Sequence, residues 1–382
     1  MWRRYSAFLY GMLFLLPALA VVGEWSRSPV AETTQPEALW LADSAGLRKI
    51  AVTEGVLLLS VPEAGGVRSV AVDSSRATTW AWNGHSLVAL GFDGTRRLEV
   101  PLDLPANVHT DLAVQTEDGS VWVAAGHELR NVSTAGQVLA AHRLATNAVA
   151  LALDRTLLWT ATATGVAAYD AVSGDPVAAL DLGRKPDVRG LAVTPSGAVW
   201  VALRSEARLL DADGALLLSL PGTDLAAIAA TPDGGAWIAG PRTLRRVSAG
   251  GSVLLLLEPF GSRGQITALA AHPADGSAWV SNGSSLVRID ASGQITLRVA
   301  SPTPSGQIHD LALFADAVPP EVEIVAPAAG AELSSRSPGI EIAWRDAQTG
   351  IEPGSLDLRL DGAPLAVSCE RRVDGASCLP AS

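Results

Sequence analysis

The sequence predicts an all-β protein: a seven-bladed β-propeller closed by a C-terminal inner strand, followed by a partial Ig-like β-sandwich. Three observations carry this expectation. An Ala among aliphatic or small residues recurs at Ala71, Ala113, Ala152, Ala192, Ala229, Ala270 and Ala312, at spacings of 42, 39, 40, 37, 41 and 42. A Trp follows six of these by seven to nine positions (Trp80, Trp122, Trp159, Trp200, Trp237 and Trp279), and Trp40 stands without an Ala segment ahead of it. Turn residues separate short apolar runs throughout, which leaves no room for ten-residue helices. Four short strands per ~40 residues is the period of a propeller blade.

Each element of the repeat has a physical reason. Blades pack both faces against neighbours, so inner strands such as Leu191-Ala192-Val193 are apolar on both faces rather than alternating. The small Ala suits the innermost strand, where blades converge, and Trp on the next strand fills the widening wedge. Between the two lie Asp118-Gly119, Ser196-Gly197, Asp233-Gly234 and Asp275-Gly276. Asp-Gly between apolar runs reads as a type I′ hairpin turn with positive φ at both central residues. A third run (Leu244–Val247, Leu286–Ile289), a second turn and a fourth run (Val253–Leu257) complete the unit. The first unit lacks an inner strand and the chain ends the array with a spare one, Asp310–Phe314. Pairing that strand with the segment at Leu39–Val61 removes two open edges at once.

In chain order, residues 1–22 read as a signal peptide or membrane anchor, 23–37 as a polar linker, 38–316 as the propeller and 319–382 as the partial Ig-like domain. Arg3-Arg4 precede an uncharged run from Tyr5 to Val22 with a small Ala18-Leu19-Ala20 site, which fits an export signal. Retention would attach the chain to a membrane through residues 5–22, with the propeller outside. The expected location is therefore periplasmic, cell-surface or extracellular. Charged residues make up 18% and apolar ones 48%, so a large core is available. A net charge of −11 without a basic stripe argues against nucleic acid.

Beyond Val318-Pro319-Pro320, strands are expected at Glu321–Ala326, Ile340–Trp344 and Leu356–Leu360, with Trp344 as core aromatic and no final strands. This fits a truncated Ig-like sandwich and a fragment of a larger chain. Cys369 and Cys378, the two cysteines, are expected to form a disulfide in an exported chain, a closure of ~2–3 kcal/mol in the chain-entropy model.

Propeller ligands sit where inner strands begin and in the loops between second and third strands. Those slots hold Arg68, His109, Asp111, Arg189, His309 and Asp310, and Asp43, His85, His127, Arg204, Glu206, Arg242 and Asn282. Four of the six histidines fall here (His85, His109, His127, His309), which suggests a polar or metal-binding patch. The candidate ligand-binding set is His85, His109, His127, His309, Asp310, Asp43, Arg68 and Arg189, with no catalytic or metal residue assigned and no cofactor expected. Ser196 lies in Pro-Ser-Gly rather than in a nucleophile elbow.

Leu269–Ile289, with Leu-Ala-Ala-His-Pro-Ala-Asp-Gly-Ser-Ala-Trp-Val-Ser, resembles the NHL and streptogramin-lyase-like propeller superfamily, as do the other blades. Streptogramin lyases typically carry a Trp-Phe-Thr-Glu strand with acidic and His residues that hold a metal at the channel mouth. None of the positions after the seven Trp residues here supplies that Glu. The segment with Pro319-Pro320-Glu321-Val322-Glu323-Ile324 is similar to bacterial Ig-like modules. Such modules follow propellers in large secreted surface proteins, including those with Rhs/YD repeats, which implies a scaffold or adhesion role. The expected function is thus non-catalytic binding or scaffolding of a protein or carbohydrate partner. A metal-dependent lyase-like enzyme and a sensor ectodomain are the alternatives.

Overall fold

The computed structural model describes residues 7–9, then 37–315 apart from 64, 107, 181, 183–185, 262–263 and 301–306, and segments between 321 and 380. The chain divides into two compact units, Glu37–Ala315, and Asp316–Ser382 with Met1–Pro36. Ser74–Arg76 forms a 3-10 turn, and among the described residues no helix is long and apolar enough to cross a membrane.

Glu37–Ala315 contains seven four-stranded antiparallel sheets. Sheet I orders Ile308–Phe314, Ala38–Asp43, Gly46–Ala51 and Leu57–Pro62. Sheets II to VII run in chain order: II is Ser69–Asp73, Thr78–Trp82, Ser86–Gly91 and Arg96–Pro101; III is Thr110–Val114, Val121–Ala125, Glu128–Val132 and Val138–Arg143. IV is Ala148–Leu153, Leu157–Thr162, Gly165–Asp170 and Pro176–Leu180; V is Val188–Val193, Val199–Leu203, Glu206–Leu210 and Leu216–Pro221. VI is Ala227–Ala230, Ala236–Ala239, Leu244–Val247 and Val253–Leu257; VII is Ala268–Ala271, Ala278–Ser281, Ser285–Ile289 and Ile295–Ala300.

The two sequence markers face each other in every sheet. Ala71 pairs with Trp80, Ala113 with Trp122, Ala152 with Trp159 and Ala192 with Trp200. Ala229 pairs with Trp237, Ala270 with Trp279, and Ala312 of the late strand with Trp40 of the early one. All seven indoles are buried, and each belongs to an apolar cluster shared with the next sheet: Trp40 with Val70 and Ala81, Trp80 with Leu112 and Val121, and so on to Trp279 with Leu39 and Leu41. The first strands touch in chain order, and that of sheet VII touches Ile308–Phe314. The fourth strands turn apolar side chains outward, Leu216 and Leu217 of sheet V among them.

Every sheet also carries a register shift between its third and fourth strands, close to the turn. Such a bulge adds twist where a sheet must splay from its neighbour. At that turn in sheet I, Gly55 has φ +68, and a Cβ there would lie 2.4 Å from Val299 of sheet VII. The seam between the last and first sheets is thus as tight as the others.

The type I′ expectation is corrected. Gly119, Gly234 and Gly276 have φ of +79, +79 and +67, but the Asp before each does not take positive φ. The carboxylate explains this. Asp118, Asp233 and Asp275 accept the N–H two residues on, at 2.8, 3.2 and 2.8 Å, an Asx-type turn that leaves only Gly left-handed.

A buried imidazole pins the start of this unit. His272 Nε2 lies 2.7 Å from Glu37 Oε1, and Nδ1 lies 3.2 Å from Asp275 Oδ1. The neutral ring accepts the N–H groups of Ala274 and Asp275 at Nδ1, whereas the protonated ring turns Nδ1–H to the carboxylate. Burial lowers this pKa, but the hydrogen bonds to Asp275 and Glu37 outweigh it and raise it to about 9.

In the second unit, Glu321–Ala326, Ile340–Arg345, Gly375–Pro380 and Val367–Arg372 form one sheet in that order. Leu358–Leu360 pairs with Ala363–Pro364 and, in parallel, with Ala7–Leu9. Ile340, Ile342, Trp344, Leu358, Ala376 and Cys378 form its buried core. The expectation of no final strands is corrected: Val367–Arg372 and Gly375–Pro380 form a hairpin in which Cys369 and Cys378 pair directly and are joined by a disulfide. Apart from Ala7–Leu9, the export-signal reading of residues 1–22 lies outside the described residues, as does the Pro319-Pro320 boundary.

Two outcomes follow. Phe314 is fully buried with its ring centroid 4.7 Å from that of Phe92, so Phe314→Ala should cost ~3–5 kcal/mol in urea unfolding. His272 has a folded-state pKa above its ordinary 6.5, so its stabilisation is complete below that pH and is lost as pH rises through about 9. Stability measured across that window should fall in the parent chain and fall less in His272→Gln.

Candidate functional site

The first strand of each sheet has one edge bonded to the second strand and one edge free. The residue before each marker Ala sits one register step from the Ala–Trp pair, as Val70 opposite Ala81 and Leu151 opposite Thr160. At that step an antiparallel strand turns its N–H and C=O to the free edge. Because the first strands touch in sequence around the unit, these groups surround a common centre.

Two carboxylates occupy that centre at equivalent places, each two residues before its marker Ala. Asp310 in sheet I accepts Leu311 N–H at Oδ1 (2.8 Å), and at Oδ2 both Val70 N–H and Ser69 Oγ–H of sheet II, each at 3.0 Å. Asp111 in sheet III accepts Leu112 N–H at 2.9 Å and Leu151 N–H of sheet IV at 2.7 Å. Each therefore bridges its own sheet to the next. Burial pushes the Asp111 carboxyl up to about 7, and the charge of Asp310 adds to the push. Burial likewise raises Asp310, against the backbone donors and the charge of His109.

Around this pair the structure brings together part of the expected set. His309 is lowered by burial and then by the charge of Arg68, while Asp43 and Asp310 oppose the shift. Asp43 is buried, accepts Ala45 N–H at 2.7 Å and lies 3.7 Å from Arg48 Nε. A Cβ on Gly84 would lie 3.7 Å from Arg68 Nε, so the Gly84-His85 loop borders the cluster. The cluster is thus Arg68, His309, Asp43, Asp310, His109 and Asp111, drawn from sheets I, II and III.

Three expected members are not gathered. His85 and His127 are exposed, and neither ring makes a hydrogen bond or ion pair among the described residues. Arg189 is bound at 3.0 Å to Asp187, which also draws Arg204, and Arg204 binds Asp224 at 2.8 Å, a separate surface network. The reason is directional: loop positions in adjacent sheets share an end of the molecule without sharing a direction. Among the described residues no three His, Cys, Asp or Glu side chains converge as a metal site. Of the four histidines, His109 and His309 interact with Asp310, while His85 and His127 are exposed in their loops. Sequence reasoning noted Asp111 but missed its pairing with Asp310, although the shared offset from the marker Ala was a signal.

No protein-family model matches the chain, and no curated protein matches it. Solved structures do. A streptogramin B lyase structure matches at a TM-score of 0.57 and 14% identity, over 72% of this chain and 91% of that one. Selenomethionine-substituted virginiamycin B lyase from Staphylococcus aureus matches at a TM-score of 0.53 and 11% identity, over 83% and 95%. At such identities the likeness shows the fold alone: an all-β, propeller-like arrangement of four-stranded antiparallel sheets.

The site yields one direct measurement. A carboxyl-resolved NMR titration should place the Asp111 midpoint near 7, and Asp310→Asn should lower it without restoring 3.8, because burial persists. Between those values the folded state binds the extra proton, so this group's contribution to stability falls as pH rises.

Proposed function

We propose that the seven sheets are the blades of a closed propeller, and that the protein is a non-catalytic binding module of an exported or surface-attached chain. Closure is supported by the pairing of Ala38–Asp43 with Ile308–Phe314 and by the Trp279 cluster, which joins sheet VII to sheet I. The ligand, a protein or carbohydrate, sits where Arg68, His109, His309, Asp43 and Asp310 gather at one end of the central channel. The observation that carries this reading is the engagement of the acidic pair. Each carboxylate oxygen of Asp111 and Asp310 already accepts a backbone N–H. A carboxylate so held supplies charge and rigidity, while Arg68, His109 and His309 are exposed at the same place and present the surface a partner would meet. The N-terminal run supports export, and the C-terminal sheets with their disulfide suit an extracellular Ig-like appendage as part of a larger scaffold.

A second reading, a lyase-like enzyme, is favoured by one observation: Asp310, raised by burial, feels the charge of His109 and acts in turn on His309, beside an Asp111 carboxyl pushed up to about 7, in a fold like that of streptogramin B lyase.

Ligand-observed NMR against a set of oligosaccharides and peptides separates the two. Binders should lose about tenfold or more in affinity to Arg68→Ala/His309→Ala and leave with unchanged mass. Binding equal in the variant would move the site elsewhere, and altered mass would favour the enzyme.

A further inference from the structure

The third-strand residue opposite the buried Trp differs from sheet to sheet, and the difference is chemical. In sheets VI and VII it is Arg246, opposite Trp237, and Arg288, opposite Trp279. Each guanidinium reaches back to the turn between the first two strands of its own sheet, Arg246 Nη2 to Asp233 at 3.0 Å and Arg288 Nη2 to Asp275 at 3.1 Å. In sheet III the same place, opposite Trp122, is the short and neutral Asn131. The turn nevertheless keeps its carboxylate. Asp118 accepts the N–H of Ser120 at 2.8 Å, just as Asp275 accepts that of Ser277.

Sheet III also carries a set of orphaned oxygens. Gln115 Oε1, Ser120 Oγ and Asn131 Oδ1 are each buried without a hydrogen-bond partner among the described residues, on side chains whose residues are 2%, 2% and 1% exposed. The register puts all three on one face. Ala113 pairs with Trp122 and Trp122 with Asn131, while Gln115 and Ser120 stand two residues from the first two. Gln115 and Ser120 are opposed, with Gln115 N–H donating to Ser120 O at 2.8 Å. Residues two apart along a strand point the same way, and opposed or diagonal neighbours lie within reach of one another. None of these oxygens bonds another, and polar neighbours so spaced call for an interposed group. The sheet IV residues packed on this face include Leu151, Leu153 and Leu158, which have no side-chain donor.

Gln115 and Asn131 carry the argument. In five other sheets the residue two after the marker Ala bonds its own turn: Asp73, Asp154, Thr194, Thr231 and His272. Gln115 Oε1 does not. Ser120 decides less, because Ser277 Oγ at the same place in sheet VII also lacks a partner. An amide oxygen only accepts, so the group that answers Gln115 and Asn131 is a donor or a cation. Sheets VI and VII put a positive charge at this place, and Asp118 keeps the carboxylate that such a charge would face.

We propose that the gap between sheets III and IV holds a small monovalent cation, with Gln115 Oε1, Asn131 Oδ1 and Ser120 Oγ as ligands, in the part that a guanidinium plays in sheets VI and VII. Hard oxygen donors suit such an ion, and neutral ligands beside one carboxylate match a single charge, where a calcium loop supplies several carboxylates. Arg76 of sheet II does not fill the part, because its guanidinium is bound to Asp73 and to the carbonyls of Thr116 and Glu117. The site lies apart from the channel mouth and does not rest on the binding reading.

The test compares the full chain in sodium, potassium and choline chloride at one ionic strength, which holds surface screening constant. Sodium NMR lines should broaden with the chain present, and Tm should rise with sodium relative to choline, as mass action requires. Asn131→Leu should lower sodium affinity about tenfold or more. Because Leu also changes the packing beside Trp122, Asn131→Arg is the second variant. A guanidinium supplied by the chain should raise Tm in choline and remove the sodium response. Potassium acting as well as sodium would support a monovalent site without size selection. Equal Tm in all three salts, with sodium lines unbroadened, would overturn the inference and leave a buried water to answer the oxygens. A sodium response undiminished in both variants would also overturn it, by placing the ion elsewhere.

Discussion

The seam between neighbouring sheets is the interaction on which this structure depends. No sheet of Glu37–Ala315 has an interior of its own, because each is apolar on both faces and only four strands wide. Its second-strand Trp is buried in the gap to the next sheet, so each sheet completes its neighbour's core. Burying an indole removes on the order of 200 Å² from water, or about 5 kcal/mol per seam before conformational entropy is subtracted. Three of the indoles also donate Nε1–H across the seam, Trp122 to Ala171, Trp200 to Gly234 and Trp237 to Gly276, which fixes the depth at which neighbours nest. A chain of such units has an unfilled seam at each end unless the ends meet. That requirement explains why sheet I is assembled from residues as far apart as Trp40 and Ala312, at the entropic cost of a long closure.

How much of this was legible in the sequence depends on whether the cause was local. The Ala and Trp markers are local and periodic, and they stand opposite one another in all seven sheets. Turn type was read from a dipeptide, and the reading failed at Asp118, Asp233 and Asp275 because the carboxylate, not the backbone pair, closes the turn. The C-terminal hairpin was missed because Val367–Arg372 mixes charge with Cys and lacks an alternating apolar face. The site was the least legible part. The bonds of Asp310 to Ser69 and Val70 span some 240 positions, and nothing near Asp310 announces them. His85 and His127 were attractive because they repeat, yet a repeated loop position fixes only which end of the molecule a side chain shares.

The same repetition that makes the frame also makes departures from it informative. A ring of equivalent positions presents equivalent backbone groups, so chemistry arises where side chains differ at one position. Two residues before the marker Ala, the seven sheets carry Asp, Ser, Asp, Ala, Gly, Ala and Ala from sheet I onward. The polar members are contiguous, and so are the small ones. Asp310 takes in the hydroxyl of the Ser that follows it in this series, so those two positions act as a pair rather than as separate substitutions.

Framework and site therefore draw on the same bonds at the channel but in different ways. Bridging from sheet I to II and from III to IV, the two carboxylates stiffen one arc of the ring; burial raises both, and Asp111, pushed up to about 7, is partly protonated near neutrality. The opposite arc has no such carboxylate, and its seams are filled by Trp200 and Trp237 with their clusters and indole hydrogen bonds. Apolar packing does not change with pH over this range, whereas the acidic arc does. The bonds that join sheet I to II and III to IV thus depend on the protonation of their carboxylates, whereas the seams filled by Trp200 and Trp237 do not.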